Sequence, residues 1–415
     1  MTRPAHRQLT VWLHGEEVAY LSADRRGRLT LGYRREVVEL LGLGSLCLSV
    51  ALRVREEPFR GERVERWVEG LLPEGETRTV LERRFSVRRG DGFALLQALG
   101  RDCAGAVSFL DSGEKPAGGR EPEPQSEQAV AEAVADLPGH PLGADEDVRV
   151  SLGGLQAKLL LARTGTGWAR PVGGTPSTHI LKPDPPGLPG LVASEAFALE
   201  AIRLTGLDAA GAELLLMGGR PVLAVERYDR RGVGAAVRRI HQEDGCQALG
   251  LDSFRDKYQT SDRPPSYRAL AGVLVDHSAD PAAEWRRLGA LMTVTVALGN
   301  GDGHARNHSF LIEGGVVRLA PAYDVAPTVD FVTGRRVGLW VNGQAMLYAV
   351  TRAHLVREMA TWGMPAAEAR SLVDGTLAAL ADCLPVAAAQ VPSVDPALVE
   401  RCTGRVDALR MSPPD

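Results

Sequence analysis

Residues 299–325 alternate a polar, glycine-rich loop with two short apolar runs, and this stretch constrains the fold more than any other. It begins Gly299-Asn-Gly-Asp-Gly-His-Ala-Arg-Asn-His-Ser-Phe310, which sets Asp302 and Asn307 in a D-x-x-x-x-N spacing. Residues 309–312 and 316–320 then read as strands split by Glu313-Gly314-Gly315, and Tyr323-Asp324-Val325 follows. Asp and Asn are common turn residues, so the spacing alone is met equally well by an ordinary loop. The order of loop, hairpin and Asp is more telling, because the hairpin returns the chain beside the loop and places Asp324 opposite Asn307. Phosphoryl transfer needs one carboxylate to orient an attacking hydroxyl and accept its proton, and hard oxygen ligands for a magnesium ion bridging the nucleotide phosphates. Asp302 suits the first role, Asn307 and Asp324 the second.

Such a site also needs a cation on the phosphates. Lys182 ends the short apolar strand His179-Ile-Leu-Lys182, as the strand lysine of protein kinases does, and a helix expected over residues 194–205 carries Glu195 and Glu200 as rival partners for it. Upstream, Ser151-Leu-Gly-Gly-Leu-Gln-Ala-Lys158 offers two glycines and a lysine suited to main-chain contact with phosphate oxygens, although it is no Walker A sequence and a plain turn reads the same way. Val225-Glu226-Arg227-Tyr228-Asp229-Arg230 leaves an apolar strand where an interlobe hinge could offer its backbone to adenine.

These pieces predict an α+β fold with a protein-kinase-like two-lobed core, a β-rich small lobe and a helical large lobe, preceded by an N-terminal α+β module. The expected boundaries are 1–112 for the module, 113–128 for a polar linker, and 129–412 for the core, with its small lobe ending near residue 230. In the module, strands flank a His14-Gly15 turn and helical spacing runs from Val64 to Leu110. Residues 148–162 and 179–182 read as strands, residues 214–227 as a hairpin turning at Gly218-Gly219, and residues 286–298 and 366–381 as helices. The chain has 48 Lys and Arg against 52 Asp and Glu, a net charge of -4, so no global field favours nucleic acid. Its five scattered cysteines, none in a C-x-x-C pair, suit a reducing cytoplasm. The N-terminus has no apolar leader, and no stretch approaches the roughly 18 apolar residues that a membrane span takes.

With these residues in place the chain resembles the HipA family of toxin serine/threonine kinases. The motifs are Ser-Leu-Gly-Gly-Leu-Gln-Ala-Lys, His-Ile-Leu-Lys-Pro, Val-Glu-Arg-Tyr-Asp-Arg, His-Gln-Glu-Asp-Gly-Cys-Gln-Ala, Asn-Gly-Asp-Gly-His-Ala-Arg-Asn and Tyr-Asp-Val. Leu71-Leu72-Pro73 and Leu96-x-x-Leu-Gly-Arg-Asp-Cys-Ala-Gly-Ala106 extend the resemblance into the N-terminal module. It implies ATP and Mg2+ as cofactors, Asp302 as catalytic base, Asn307 and Asp324 on the metal, and Lys182 on the phosphates. It further implies a mobile phosphate loop of Gly153, Gly154, Leu155, Gln156, Ala157 and Lys158, an adenine pocket lined by Glu226, Arg227 and Tyr228, and nucleotide contacts from His304 and Tyr323. Ser151 falls at the family's inhibitory autophosphorylation site. Where the family has Gln-Glu-Lys, this chain has Gln156-Ala157-Lys158 and lacks a carboxylate beside the loop. The implied partners are a protein substrate, with an aminoacyl-tRNA synthetase as one candidate, and a helix-turn-helix antitoxin of HipB type that carries most of the DNA contact.

Three other readings use the same residues. A small-molecule kinase of the aminoglycoside phosphotransferase kind would use the same loop. A metal hydrolase would use His304 and His308, four apart, but lacks the H-E-x-x-H pattern. A non-catalytic corepressor would use basic pairs such as Arg286-Arg287 and Arg335-Arg336 on DNA. Glu243 and Asp244 read as well as a helix cap as a nucleotide contact.

Overall fold

A computed structural model describes residues 7–116, 121–154, 156–165, 167–232, 236–328 and 335–412. Its N-terminal module is an antiparallel five-stranded sheet with helices on one side. Strands β1 (Arg7–Leu13) and β2 (Glu16–Ala23) turn at His14 and Gly15, both with positive φ as a two-residue hairpin turn requires. β3 (Leu29–Tyr33), β4 (Phe59–Arg60) and β5 (Val107–Asp111) complete the order β4-β3-β2-β1-β5. Helices α1 (Arg35–Leu41), α2 (Glu62–Gly70), α3 (Gly75–Arg84) and α4 (Gly92–Leu99) lie between β3 and β5, and α2 and α4 bury Trp67, Phe93 and Leu96. Helical spacing therefore stops at Leu99. Residues 107–110 are a fully buried strand, whose unbroken apolar run matches a core helix as well as a strand.

The small lobe is a six-stranded sheet in the order β10-β11-β9-β7-β8-β6. Its strands are β6 (Glu123–Gln125), β7 (Leu159–Thr164), β8 (Gly167–Arg170), β9 (His179–Pro183), β10 (Ala212–Met217) and β11 (Arg220–Glu226). Helix α5 (Glu127–Ala135), capped by Ser126, covers one face, and α6 (Leu191–Leu204) covers the other. The β10–β11 hairpin turns at Gly218 and Gly219 as expected. Two sequence expectations change. Part of the polar span 113–128 is β6, paired to β8, and only residues 159–164 of the expected 148–162 strand are extended in the sheet. Residues 149–151 instead pair with the module: Asp102 N–H donates to the Arg149 carbonyl and Ser151 N–H to the Asp102 carbonyl. Leu142, Val148, Val150, Leu160 and Val172 join the core of the N-terminal sheet, so module and small lobe share one apolar interior.

The large lobe begins with β12 (Arg230–Arg231), β13 (Arg238–Arg239), β14 (His241–Asp244) and α7 (Gly245–Leu249). Asp244 and Gln247 form a capping box at the start of α7, which is the cap reading of this segment. Helices α8 (Tyr267–His277) and α9 (Pro281–Ala297) follow; Asp280 caps α9 and Pro281 occupies its first turn. β15 (Ser309–Glu313) and β16 (Val316–Leu319) form the predicted hairpin, and β14 joins it as a third strand that periodicity did not reveal. The remainder is β17 (Arg336–Val341), β18 (Gln344–Met346), α10 (Arg352–Thr361), α11 (Ala366–Gln390) and α12 (Pro396–Met411). The 25-residue α11 is, contrary to the sequence expectation, long and apolar enough to cross a membrane. In the fold Val373, Leu377, Leu380 and Leu384 lie in the large-lobe core, and Asp374 pairs with Arg352.

Candidate active site

The loop after α9 is built around Asp302. Asn300 Oδ1 accepts from the Asp302 N–H at 2.9 Å, and Asn307 Nδ2 donates to the Asp302 carbonyl at 2.9 Å. The amide end of Asn307 thus closes the loop, and its carbonyl oxygen is the end left for a cation. Gly338 of β17 lies directly on this loop: a Cβ there would come within 2.5 Å of the Gly303 carbonyl carbon, so the approach needs glycine. Between the two functional residues, Arg306 is buried and gives Nε to Asp244 (2.9 Å), Nη2 to the Gly70 carbonyl (2.9 Å) and Nη1 to Glu74. The N-terminal module therefore reaches under the catalytic loop, an arrangement with no local sequence signal because Glu74 and Arg306 are 232 residues apart.

Asp324 arrives beside this loop because the chain before it is pinned: the Ala322 N–H donates to the Asp208 carbonyl and the Ala210 N–H to the Ala322 carbonyl. Asp324 itself has φ of 51°, a left-handed conformation that costs a non-glycine residue about 1–3 kcal/mol and marks functional sites. Its carboxylate pairs with Lys182, whose Nζ also donates to Glu195 Oε1 at 2.8 Å. Asp184 places Glu195 there by accepting from the N–H groups of Gly190 (2.8 Å) and Val192 (2.9 Å) at the start of α6. The rival Glu200 is paired with Arg203 on the exposed face. Burial opposes charge on both Lys182 and Asp324, yet their mutual attraction wins. Lys182 is driven above its ordinary value, and Asp324, with Lys158 also near, is held at about 2.

Lys158 folds back so that Nζ donates to the Gly153 carbonyl at 2.6 Å, inside a loop where Gly154 has φ of 110°. Gly153 sits against Arg306, with no room for a Cβ, and Gln156 Nε2 donates to the Pro183 carbonyl at 3.1 Å. Burial, with Lys182 nearby, lowers the Lys158 ammonium to about 8. Leu155 lies outside the described residues. Ser151 is fully buried and donates its hydroxyl to the Leu71 carbonyl at 2.7 Å.

At the hinge, Glu226 is exposed at the end of β11 and Arg227 N–H pairs with the Thr178 carbonyl. The Arg227 side chain is not a pocket wall. It is buried against Asp229, Ser177 and the Cys103 carbonyl, and its main-chain N–H and carbonyl are engaged by Thr178 and by the Arg230 N–H. Tyr228 and Tyr323 pack ring to ring at 5.3 Å, and Tyr323 donates its hydroxyl to the Arg306 carbonyl at 2.5 Å. His304 is held at about 4 by burial, hence neutral near pH 7, with its ring edge on Tyr258. His308 is buried, faces Tyr267 and donates its Nδ1–H to the His304 carbonyl at 3.0 Å. The two histidines flank a single 3-10 turn instead of sharing a helix face, and among the described residues no three His, Cys, Asp or Glu side chains gather as a metal cluster.

Family models match both halves of the chain: the HipA N-terminal domain over residues 9–110 and the HipA-like C-terminal domain over residues 150–384. The chain belongs to the HipA family. Among similar proteins, the one named as kinase Y4mE of Sinorhizobium fredii is 37% identical over 332 residues, 78% of this chain and 78% of that one. The serine/threonine-protein kinase toxin HipA of Shewanella oneidensis is 28% identical over 357 residues, 81% of this chain and 79% of that protein. The HipA fold is shared throughout: the Shewanella oneidensis HipA solved with HipB and operator DNA superposes with a TM-score of 0.81 at 24% identity, over 98% of this chain and all of that one.

Proposed function

We propose that this HipA-family chain is an ATP- and magnesium-dependent serine/threonine protein kinase, the toxin of a HipA/HipB-like pair acting in the cytoplasm. The observation that carries the reading is Lys182, which joins Glu195 on α6 to Asp324 beside the Asp302–Asn307 loop. This is the lysine–glutamate pair and metal-binding aspartate that kinases assemble for phosphoryl transfer. Asp302 accepts the proton of the acceptor hydroxyl as its oxygen attacks the γ-phosphorus and the bond to the β-phosphate oxygen breaks, releasing ADP. Lys182 and Lys158 steady the phosphates, while Tyr228 and the hinge backbone face the base. Asn307 and Asp324 offer the hard oxygens, one of them a carboxylate, that suit magnesium, which would neutralise charge on the transferring phosphate. The name of the Shewanella relative supports serine/threonine specificity, and its complex supports a HipB-type antitoxin that brings most of the DNA contact. The protein substrate, with an aminoacyl-tRNA synthetase as a candidate, is tested directly by incubating the protein with magnesium, labelled ATP and bacterial lysate. One labelled lysate protein is the expected result; ATP binding without label on any protein would sink the reading.

Autophosphorylation at Ser151 belongs to the same proposal. Since that hydroxyl is buried against Leu71, the 151–158 loop must leave its seat before Ser151 can be modified, and a phosphate there would prevent its return. Ser151→Ala is expected to remove the label on the chain itself. Ser151→Asp, which buries an unpaired carboxylate at the same place, is expected to weaken ATP binding by about tenfold or more. Equal nucleotide affinity for Ser151→Asp and wild type would contradict it.

Lys158 makes nucleotide binding depend on pH. Its ammonium is present below about pH 8 and is lost above it, whereas a bound phosphate favours the charged form. The dissociation constant of MgATP is therefore expected to be flat from pH 6.5 to 7.5 and to rise above pH 8 by up to about tenfold per pH unit. Lys158→Arg, always charged, should flatten that rise. A titration in which wild type and Lys158→Arg show the same slope would remove Lys158 from the phosphate site.

A further inference from the structure

Tyr258 lies 44 residues before Asp302 and belongs to none of the motifs, yet its hydroxyl donates to Asp302 Oδ1. Its main chain is fixed on both sides. The Lys257 carbonyl accepts from the Ala305 N–H at 3.0 Å, and Gln259 exchanges hydrogen bonds with Gly338 and Trp340 of β17, each at 2.9 Å. Lys257 is itself tied to Glu74 at 3.2 Å. The Tyr258 side chain, by contrast, is 41% exposed; besides Asp302 it meets the His304 ring in a T-shaped contact, centroids 4.9 Å apart, and the Lys257 ammonium stands 5.7 Å from its ring centre. A fixed backbone thus presents a partly exposed side chain whose hydroxyl is seated on Asp302.

The acceptor hydroxyl in phosphoryl transfer must donate to the catalytic carboxylate, and in this structure a hydroxyl already does. We infer that Tyr258 occupies the acceptor-hydroxyl position on Asp302 and acts as a specificity-determining gate that an incoming serine or threonine hydroxyl must displace. The inference rests on Asp302 being the base of a kinase. Displacement costs the phenol–carboxylate hydrogen bond, so the gate raises the acceptor KM without entering the bond-making step. A polypeptide acceptor with contacts elsewhere can meet that cost; a small alcohol or water cannot.

The test compares wild type, Tyr258→Phe and Asp302→Ala at saturating MgATP, using a degenerate serine-containing peptide mixture as acceptor and measuring ADP release with and without it. Phenylalanine keeps the ring contacts and removes only the hydroxyl. Tyr258→Phe is expected to lower the peptide KM about fivefold with kcat within twofold, and to raise peptide-independent ADP release several-fold. A kcat loss above tenfold at unchanged KM would make Tyr258 a positioning residue for Asp302 and overturn the gate. So would unchanged KM and ADP release, or phosphotyrosine accumulating at 258 in the wild type, which would make it an acceptor. Wild-type turnover that Asp302→Ala leaves intact would overturn the kinase reading itself, along with the gate.

Discussion

Asp302→Asn is expected to lower phosphoryl transfer by about 10²- to 10⁴-fold, the range lost when a positioned general base is removed, with MgATP affinity changed by less than about threefold. The substitution keeps the side chain's shape, and the hydrogen bonds that hold the loop run through the main chain of Asp302, to Asn300 and from Asn307. Loop geometry and the Asn307–Asp324 pair should therefore survive while the proton acceptor is lost. Single-turnover label transfer, together with equilibrium nucleotide binding, separates the two effects. Transfer retained within tenfold of wild type would exclude Asp302 as the base, and transfer lost together with binding would place Asp302 in nucleotide binding instead.

Asp102→Ala is expected to destabilise the chain by about 3–5 kcal/mol at pH 7, the cost of removing one partner from a buried ionic network. Asp102 accepts from Arg230 Nη2 at 2.8 Å and from the Ser177 hydroxyl and N–H, and also pairs with Arg227 and Arg239. Asp229 is the second carboxylate among these three arginines. Burial opposes ionisation of Asp102, but the arginines hold its carboxyl well below the ordinary value of 3.8. A folded-state value below the unfolded one stabilises at every pH above about 4 and is lost as pH falls through the folded value, so the contribution should be constant from pH 5 to 8. Denaturant unfolding of wild type and Asp102→Ala at pH 5, 7 and 8 measures this directly; a loss under 1 kcal/mol, or one that changes across that range, would refute it. The same network secures the hinge, since Arg227 and Arg230 both donate to the Cys103 carbonyl and the Gly105 N–H donates to Asp229. Asp102→Ala should therefore also weaken ATP binding.

This network shows why one proposed site residue was read incompletely. Arg227 stands at the hinge in sequence, and a motif reading assigns it to the adenine pocket along with its neighbours. Its side chain is instead held by Asp229, two positions on, together with Ser177 and the Cys103 carbonyl and, at 3.5 Å, Asp102, and these remote contacts are invisible to any local pattern. Glu74 beneath the catalytic loop and Tyr258 on Asp302 escaped notice for the same reason: each is an isolated polar residue whose partner is distant in the chain. Strands failed where burial on both faces erased alternation, as at residues 107–110, or where the strand was only three or four residues long, as at β6 and β14.

The sequence by itself determined what is governed by short-range order. The D-x-x-x-x-N loop, the Gly314-Gly315 hairpin turn and the Asp that follows lie within 23 residues, so their mutual placement is written in turn chemistry and strand length. The lysine at the end of β9 and the motifs of both family domains were legible in the same way. Only the tertiary structure decided which glutamate meets Lys182, that Ser151 is buried, and that the N-terminal module is built into the base of the site. Those outcomes depend on the packing of α6, of the 151–158 loop and of residues 70–74 against surfaces made by remote segments. A buried charge takes whichever opposite charge that packing brings within reach, because the cost of leaving it unpaired exceeds any local preference.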